Sequence, residues 1–336
     1  MKVGVNVNKW SFFKKNKFFQ NPKILQIEVT NICKLHCQEC YKKESEFTNM
    51  DIETFKEIIS EAKTMHVESV MLNGGEPLEN TYFIDMVGIC NDNGIKCTTF
   101  TSGYLVNSMF CNTIRNYNID ILVSLNGSTE KINSLSRDGY YVAVKAMETL
   151  NAKGIDFGVN WVARHDNVRD LEELITFSRR KGAKYINIVC NKLSSNKEIQ
   201  SPCSRDDYIY MKKIILKYSQ YIKIQNCYDL LISYVDDAKK RNELYGCSAG
   251  IYLMAVDLQK RYMPCTHLCY PEDAKNMKEY WIESKTLKRL RCKERTGICK
   301  ECNKCRVCHA ISERTYENFN ESFQECPVFE LRKETE

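Results

Sequence analysis

Three cysteines near the start of the chain have the spacing of a metal-binding loop. Cys33, Cys37 and Cys40 form a C-x3-C-x2-C motif. Three thiolates in one short loop can hold three irons of a [4Fe–4S] cluster and leave the fourth iron without a protein ligand. A structural zinc ion normally takes four ligands, and the nearest candidate for a fourth is His36. The motif therefore predicts a cluster with one open coordination position, with zinc as the alternative.

A second motif, Asn73-Gly74-Gly75-Glu76-Pro77-Leu78, follows later in the chain. Glycines allow the backbone to approach a ligand closely, while exposed carbonyls and the Glu76 carboxylate can accept hydrogen bonds from an ammonium group. A Gly-Gly-Glu-Pro sequence on its own is more often a turn. Its position directly after a strand-like segment makes a binding role the stronger interpretation.

Alternating strands and helices must position these motifs. Strands are predicted at 23–30, 68–73, 95–101, 119–125, 155–162 and 184–190. Helical periodicity lies between them, for example over 51–65, and helical stretches follow at 207–221, 228–242 and 276–291. Six strands spaced by helices predict an α/β fold with a parallel sheet, closed or partly closed as a barrel. In such barrels the chemistry lies at the carboxyl ends of the strands, where both motifs fall.

Together the two motifs resemble those of the radical S-adenosylmethionine (SAM) superfamily. The resemblance implies a partial (βα)6 TIM-like barrel with a [4Fe–4S] cluster held by Cys33, Cys37 and Cys40. In that family the amino and carboxylate groups of SAM chelate the open iron. One electron from the cluster then breaks a sulfur–carbon bond and gives a 5′-deoxyadenosyl radical. The family usually has an aromatic residue just before the third cysteine, whereas this chain has Glu39 there and Tyr41 after it.

The resemblance also implies which residues contact SAM. Arg137 is similar to an arginine that many members use against the SAM carboxylate, a role that suits its forked donors. An ordinary turn or surface position is the alternative for the residues outside the two motifs. The implied set is Tyr41, Gly74, Gly75, Glu76, Pro77, Thr101, Ser102, Ser124, Arg137 and Asn160.

Cysteine is unusually frequent in the C-terminal part of the chain. Half of the eighteen cysteines lie between Cys247 and Cys326. The basic, aromatic N-terminus has no apolar core or cleavage site typical of an export signal. No apolar run approaches the roughly 18–20 residues of a membrane span. We therefore expect a cytoplasmic protein without membrane contact, in which dense, reduced thiols indicate metal binding before disulfides.

These later cysteines resemble the SPASM domain, which carries auxiliary [4Fe–4S] clusters on many radical SAM enzymes. One implied ligand set is Cys299, Cys302, Cys308 and Cys326. A second set is Cys247, Cys265 and Cys305, completed by Cys269, Cys292 or Cys227. A single auxiliary cluster, as in the shorter twitch form of the domain, and a zinc site built from the same thiolates are the alternatives.

The motifs and composition divide the chain into four parts. We expect an N-terminal extension at 1–22, a barrel at 23–200, a helical connection at 201–244 and a small SPASM-like domain at 245–336. Cys90, Cys97, Cys111 and Cys190 lie in predicted helices or strands and are expected in the core. Cys203 is expected to be an exposed thiol in a loop.

The resemblance implies an enzyme that abstracts hydrogen from a substrate and draws electrons from a flavodoxin- or ferredoxin-type donor. The leading hypothesis is a ribosomally synthesised precursor peptide that receives a crosslink, a thioether or an epimerised residue. A small-molecule or cofactor-biosynthesis enzyme, a sulfatase-maturing enzyme and a non-enzymatic metal-binding module are the alternatives. The net charge of +6 comes from scattered lysines and does not indicate a nucleic-acid partner. His165, His267 and Tyr104 are candidates for a general base.

Overall fold

The computed structural model describes residues 19–42, 48–192, 201–226 and 247–291, and every strand in these ranges belongs to one sheet. The strands are β1 Ile24–Thr30, β2 Ser69–Gly74, β3 Lys96–Thr101, β4 Ile119–Ser124, β5 Phe157–Ala163, β6 Tyr185–Cys190, β7 Lys223–Asn226, β8 Leu253–Val256 and β9 Tyr262–Met263. Their order across the sheet is β7-β6-β5-β4-β3-β2-β1-β8-β9. All neighbouring pairs are parallel except β8 with β9.

Helices connect the parallel strands, because strands that run in the same direction need a crossover. In the described ranges they are α1 Ile52–Thr64, α2 Phe83–Asp92, α3 Ser108–Ile114, α4 Glu130–Asn133, α5 Tyr140–Ala152, α6 Leu171–Arg180, α7 Arg205–Tyr218, α8 Met277–Glu283 and α9 Lys285–Arg291. Asp51 begins α1 by accepting hydrogen bonds from the N–H groups of Glu53 and Thr54. Among the helices described, none combines the length and the apolar character needed to cross a membrane.

The two faces of the sheet differ in polarity. In β1, Leu25 and Ile27 are fully buried and belong to the hydrophobic core that the helices cover. Gln26 and Glu28 alternate with them and therefore point to the opposite face. The strand register places Glu28 beside Asn73 of β2 on that face. A polar sheet face thus leads up to the carboxyl ends of the strands, where the motif residues lie.

All six predicted strands are confirmed, with each end within two residues of its prediction. The strand β7 was not predicted, since residues 201–244 were expected to form a helical connection. The helical segment expected over 276–291 is two helices, because Ser284 interrupts it and accepts the Leu287 N–H at 3.1 Å as the cap of α9. The helix predicted at 228–242 lies outside the described residues.

Three of the four cysteines predicted in the core are confirmed, and the side chain of the fourth, Cys190, lies outside the described part of the structure. Cys90, Cys97 and Cys111 are fully buried in the hydrophobic core, as expected. Cys203 was expected to be exposed, and this expectation is wrong because its side chain is only 6% exposed and packs in the same core. It directly precedes Ser204, the N-cap of α7.

The C-terminal segment joins the sheet at β1. The strand β8 pairs with β1 in parallel, with Ile24 opposite Leu253 and Ile27 opposite Val256. In addition, Trp281 donates its indole N–H to the carbonyl of Phe19 at 3.0 Å. Residues 247–291 are therefore attached to the first strand of the barrel, while the division into four domains stays a prediction.

Replacing Glu61 of α1 with alanine is expected to destabilise the protein by about 1–3 kcal/mol. Its carboxylate accepts hydrogen bonds from Tyr262 Oη at 3.0 Å and from the Met277 N–H at 2.6 Å, and it pairs with Lys260 at 2.9 Å. Denaturant unfolding measures the loss. The matched control is Glu57→Ala, because exposed Glu57 contacts only Lys260 among these groups and should change stability by less than about 0.5 kcal/mol. Equal losses of stability in the two variants would contradict the proposal that Glu61 attaches the C-terminal segment to α1.

Candidate active site

The predicted cluster loop, residues 31–42, follows β1 at the carboxyl end of the sheet. Its backbone N–H groups donate hydrogen bonds to the segments after β3 and β4: Lys34 to Tyr104 Oη at 3.2 Å, His36 to Asp138 Oδ2 at 3.2 Å, and Glu39 to the carbonyl of Ser136 at 3.2 Å. The loop is thus held from two neighbouring strand ends while its cysteines remain partly accessible to solvent.

The three thiols of this loop share one small region. The N–H of Cys40 donates to the carbonyl of Cys37 at 3.2 Å, which makes a tight turn. Burial raises the pKa of the Cys33 thiol, the Leu35 N–H lowers it, and the nearby Glu76, Cys37 and Cys40 raise it. In the described part of the chain, no three cysteine, histidine or carboxylate groups converge on a single metal-ion position. A cubic cluster instead takes each thiolate on a different iron, so three separate thiolates suit it.

The two motif glycines pack directly against the backbone of the cluster loop. The N–H groups of Gly75 and Glu76 donate to the carbonyls of Thr30 and Ile32 at 2.8 and 2.7 Å. A Cβ atom on Gly74 would lie 2.2 Å from the Thr30 oxygen, and one on Gly75 would lie 2.3 Å from the Ile32 oxygen. The sequence suggested glycine for close approach of a ligand. The close approach seen here is that of the cluster loop itself.

Glu76 links the end of β2 to the end of β3. It is almost fully buried, and its Oε2 atom accepts hydrogen bonds from the N–H of Ser102 at 2.7 Å and from Ser102 Oγ at 2.5 Å. Burial raises the pKa of Glu76, and the hydrogen bonds from Ser102 oppose that rise. Thr101 Oγ1 accepts the Gly103 N–H at 3.0 Å in the same turn. The ammonium contact expected for Glu76 stays a prediction beside this positioning role.

Tyr41 contacts the C-terminal segment. Its ring lies 4.4 Å from that of His267, and its hydroxyl has Thr266 as a hydrogen-bond partner. Cys265, in the same turn, accepts the Leu268 N–H on Sγ at 3.2 Å. Amide hydrogen bonds to sulfur are typical of iron–sulfur sites and tune their potentials. The predicted auxiliary ligand Cys247 is half-buried, and the further ones lie outside the described residues: Cys299, Cys302, Cys305, Cys308 and Cys326.

Residues 27–178 match the sequence profile of the Radical SAM superfamily. Residues 27–178 therefore form a radical SAM domain. The chain is a radical SAM enzyme, of a family that uses a [4Fe–4S] cluster and SAM. The match includes the cluster loop, the Gly-Gly-Glu-Pro motif and Arg137.

Several proteins are similar to this radical SAM enzyme in sequence. It is 27% identical over 213 residues to an uncharacterised protein of Methanocaldococcus jannaschii, covering 60% of this chain and 74% of that protein. It is 27% identical to the mycofactocin maturase of Mycolicibacterium smegmatis, covering 48% of this chain and 43% of the maturase. It is 25% identical to a PqqA peptide cyclase of Methylobacterium, covering 49% of this chain and 45% of the cyclase. The matched region therefore spans less than half of the maturase and of the cyclase.

Solved structures share its fold. Streptococcus suis SuiB bound to S-adenosylmethionine superposes with a TM-score of 0.77 at 17% identity, covering 92% of this chain and 78% of SuiB. The protein anSMEcpe with bound AdoMet superposes with a TM-score of 0.70 at 16% identity, covering 93% of this chain and 95% of anSMEcpe. At these identities the likeness shows the fold, a partial TIM-like barrel with a parallel sheet.

Arg137, the predicted contact to the SAM carboxylate, lies in the segment between α4 and α5. Its backbone is fixed from both sides, because its N–H donates to the carbonyl of Asn133 and its carbonyl accepts from Asn133 Nδ2, both at 2.9 Å. Its Nε atom is buried and has no hydrogen-bond partner among the described residues. An unpaired buried donor on a cation costs free energy that an anionic ligand would recover.

Replacing Arg137 with glutamine is expected to raise the apparent KM for SAM about 10- to 100-fold, since hydrogen bonds to charged groups contribute about 1.5–3 kcal/mol. Isothermal titration with SAM, or cleavage measured against SAM concentration, shows the change. Arg115→Gln is the matched control, because the Arg115 guanidinium donates to the Lys153 carbonyl at the exposed surface. An unchanged KM in Arg137→Gln would rule out this contact.

Ser124 and Asn160 are adjacent on the polar face of the sheet. The strand register pairs them, and the Leu125 N–H donates to the Asn160 carbonyl at 3.0 Å. Asn160 Oδ1 accepts from Asn187 Nδ2 at 2.7 Å. Pro77 is buried at the start of a short 3-10 turn after Glu76. The structure therefore places Pro77 and Ser124 at the carboxyl ends of β2 and β4 and Asn160 within β5, and the binding roles of these residues stay predictions.

The three candidates for a general base each have a structural partner. His165 Nδ1 lies 2.7 Å from Asp207 Oδ2, and this hydrogen bond raises the pKa of the exposed imidazole. Asp207 is buried and forms a capping box with Ser204 at the start of α7. His267 lies against Tyr41, and the Tyr104 hydroxyl donates to Glu79 at 2.9 Å.

Two features of the site were missed from the sequence. Asn126 is buried, and its side chain links β5 to the segment after α4. Its Oδ1 accepts from the Val162 N–H at 3.2 Å and its Nδ2 donates to Ser136 Oγ at 2.8 Å. The Asn-Gly pair after the fourth strand was the available signal. The second is an ion pair between Glu39 and Arg164, which joins segments far apart in sequence. No local pattern indicates that contact.

Proposed function

We propose that this radical SAM enzyme binds its cluster through Cys33, Cys37 and Cys40 and acts on a ribosomally synthesised precursor peptide. The modification is a crosslink, a thioether or an epimerised residue. The observation that supports the peptide is the joint similarity to the mycofactocin maturase and to PqqA peptide cyclases. The fold also matches SuiB solved with its precursor peptide SuiA, at a TM-score of 0.75.

The geometry supports separate roles for the cofactors and for the chain at the carboxyl ends of the strands. The bound cluster and SAM supply one electron and a 5′-deoxyadenosyl radical. The chain positions the reacting groups. Glu76 and Ser102 hold the end of β2 against that of β3, and Arg137 offers an unpaired donor to the SAM carboxylate. The remaining implied contacts, Ser124 and Asn160, face the same side and would orient SAM toward the substrate.

Auxiliary [4Fe–4S] clusters are part of the proposal. Cys247 and Cys265 lie in the segment that joins β1, and Cys265 Sγ already accepts a backbone N–H. The further ligands are Cys299, Cys302, Cys305, Cys308 and Cys326. Crosslink formation removes two hydrogens from the peptide, so one electron must leave after hydrogen abstraction. An auxiliary cluster is a suitable acceptor, and a flavodoxin- or ferredoxin-type protein is the proposed external donor.

The test uses the reconstituted full chain, dithionite, SAM and synthetic peptides that correspond to each short reading frame beside its gene. We expect one of these peptides to increase 5′-deoxyadenosine formation. In mass spectrometry it either loses two hydrogens, which indicates a crosslink, or takes up one deuterium from D2O, which indicates an epimer. The variant with Cys33, Cys37 and Cys40 changed to alanine is the control. SAM cleavage that is fast without peptide, while every peptide stays unchanged, would contradict the peptide substrate and favour a small molecule.

A further inference from the structure

Glu39 occupies the position before the third cysteine, where the family usually has an aromatic residue. Its side chain is 9% exposed and forms an ion pair with Arg164, which is 3% exposed. Asn191, after β6, donates a hydrogen bond to the same carboxylate at 3.4 Å. The backbone N–H of Glu39 is held by the Ser136 carbonyl. A buried carboxylate therefore stands where an apolar ring is usual, and it reaches the ends of two strands.

Arg164 is itself firmly oriented. Its Nε and Nη2 atoms donate to both carboxylate oxygens of Asp166 at 2.8 and 2.6 Å. Its backbone N–H donates to Asn167 Oδ1 at 2.9 Å, so the residue is fixed at the carboxyl end of β5. The planar guanidinium thus uses one edge for Asp166 and presents Nη1 to Glu39. Two carboxylates share one cation beside the cysteine loop.

Glu39 and Arg164 are therefore buried ionic partners beside the loop. Burying one member of an ion pair without the other is expensive, so both must be present for the loop to keep this position. The reduction potential of an iron–sulfur cluster depends on nearby charge: added positive charge raises the potential and added negative charge lowers it. Cys40 follows Glu39 directly, which places this ion pair next to a proposed cluster ligand.

We propose that Glu39 and Arg164 are positioning residues that hold the Cys40 end of the cluster loop to β5 and β6 and set the charge beside the cluster. This proposal rests on Cys40 being a ligand. It assigns a role to Glu39, a non-cysteine position inside the cysteine motif, and to Arg164, which lies outside both motifs. It also explains how the loop is held in place without the usual aromatic residue, because the ion pair replaces apolar packing with a directed contact.

The test is a redox titration of the reconstituted full chain, followed by electron paramagnetic resonance. The signal that changes when SAM is added identifies the SAM-binding cluster. Glu39→Gln leaves Arg164 with less negative charge and is expected to raise the midpoint potential of that cluster. Arg164→Gln leaves two carboxylates without their cation and is expected to lower it. Shifts of opposite sign are the expected result, because general loosening of the loop would not produce them.

The matched controls are Lys96→Gln and Asp120→Asn. These residues form an ion pair at 2.7 Å at the amino ends of β3 and β4, at the end of the sheet away from the loop. Both controls should leave the potential unchanged. Potentials unchanged in the Glu39 and Arg164 variants, or shifted in the same direction, would overturn the proposal while leaving the cluster and the peptide substrate intact.

A variant that loses the cluster is also informative when circular dichroism shows a folded chain. Should Arg164→Gln lose about four irons, Arg164→Lys decides the case, since lysine keeps the charge but not the planar fork. Iron retained in Arg164→Lys supports the proposal that the charge of residue 164, paired with Glu39, holds the cluster loop. Equal iron loss in both variants overturns it. A wild-type protein that assembles no cluster at all would instead contradict the ligand assignment itself.

Discussion

Changing Cys33, Cys37 and Cys40 together to alanine is expected to abolish SAM cleavage and to remove roughly four irons from each reconstituted chain. The reason is that these thiolates are the proposed ligands of the cluster that supplies the electron. Anaerobic reconstitution with iron and sulfide, iron counting and chromatography of 5′-deoxyadenosine measure both effects. The iron that remains in the variant counts the auxiliary clusters.

The control for this triple variant removes three other thiols. Cys90, Cys97 and Cys111 are fully buried in the core, so changing them to alanine should lower stability modestly and leave iron content and SAM cleavage in place. A cysteine-loop variant that retains all its iron would contradict the ligand assignment. Equal loss of iron from the core variant would also contradict the ligand assignment.

Replacing Gly75 with alanine is expected to lower SAM cleavage by roughly 100-fold, the effect of displacing reacting groups by about 1 Å. The added Cβ would lie 2.3 Å from the carbonyl oxygen of Ile32, where ordinary contact needs about 3.4 Å. The cluster loop must therefore move away, and the hydrogen bonds from Gly75 and Glu76 to Thr30 and Ile32 weaken. Single-turnover SAM cleavage measures the loss.

Gly94→Ala is the control for steric displacement. Gly94 has a φ of +68°, so alanine is strained there, but a Cβ atom meets nothing within 4 Å. This variant should lose about 1 kcal/mol of stability and keep normal cleavage. If Gly75→Ala and Gly94→Ala both retained full activity, the close packing of the glycine motif on the cluster loop would have no bearing on function.

The sequence predicted the strands of the barrel well because buried parallel strands and their helices have strong local patterns. It could not predict that β8 pairs with β1, since that contact joins residues more than two hundred positions apart and depends on assembled packing. The break at Ser284 was missed for a related reason. A serine inside an apolar pattern signals a cap only when its hydroxyl is seen to accept a backbone N–H.

The candidate site shows the same limit. Motif spacing was enough to place the cysteines and the glycines at neighbouring strand ends. It did not show that the glycines serve the packing of the cluster loop, because that depends on the distance to the backbone of Thr30 and Ile32. The partner of Glu39 was also unpredictable, since Arg164 lies at the end of a strand four positions across the sheet. Tertiary contacts of this kind leave no local periodicity.

The most direct test of the central claim is electron paramagnetic resonance of the reduced, reconstituted full chain with and without SAM. The loop of Cys33, Cys37 and Cys40 leaves one iron open, so SAM should bind that iron and change the signal of one cluster. We expect this change in the wild type and its absence after all three cysteines are replaced. A fully loaded wild type whose signal does not respond to SAM would contradict the assignment of this loop as the SAM-binding cluster site.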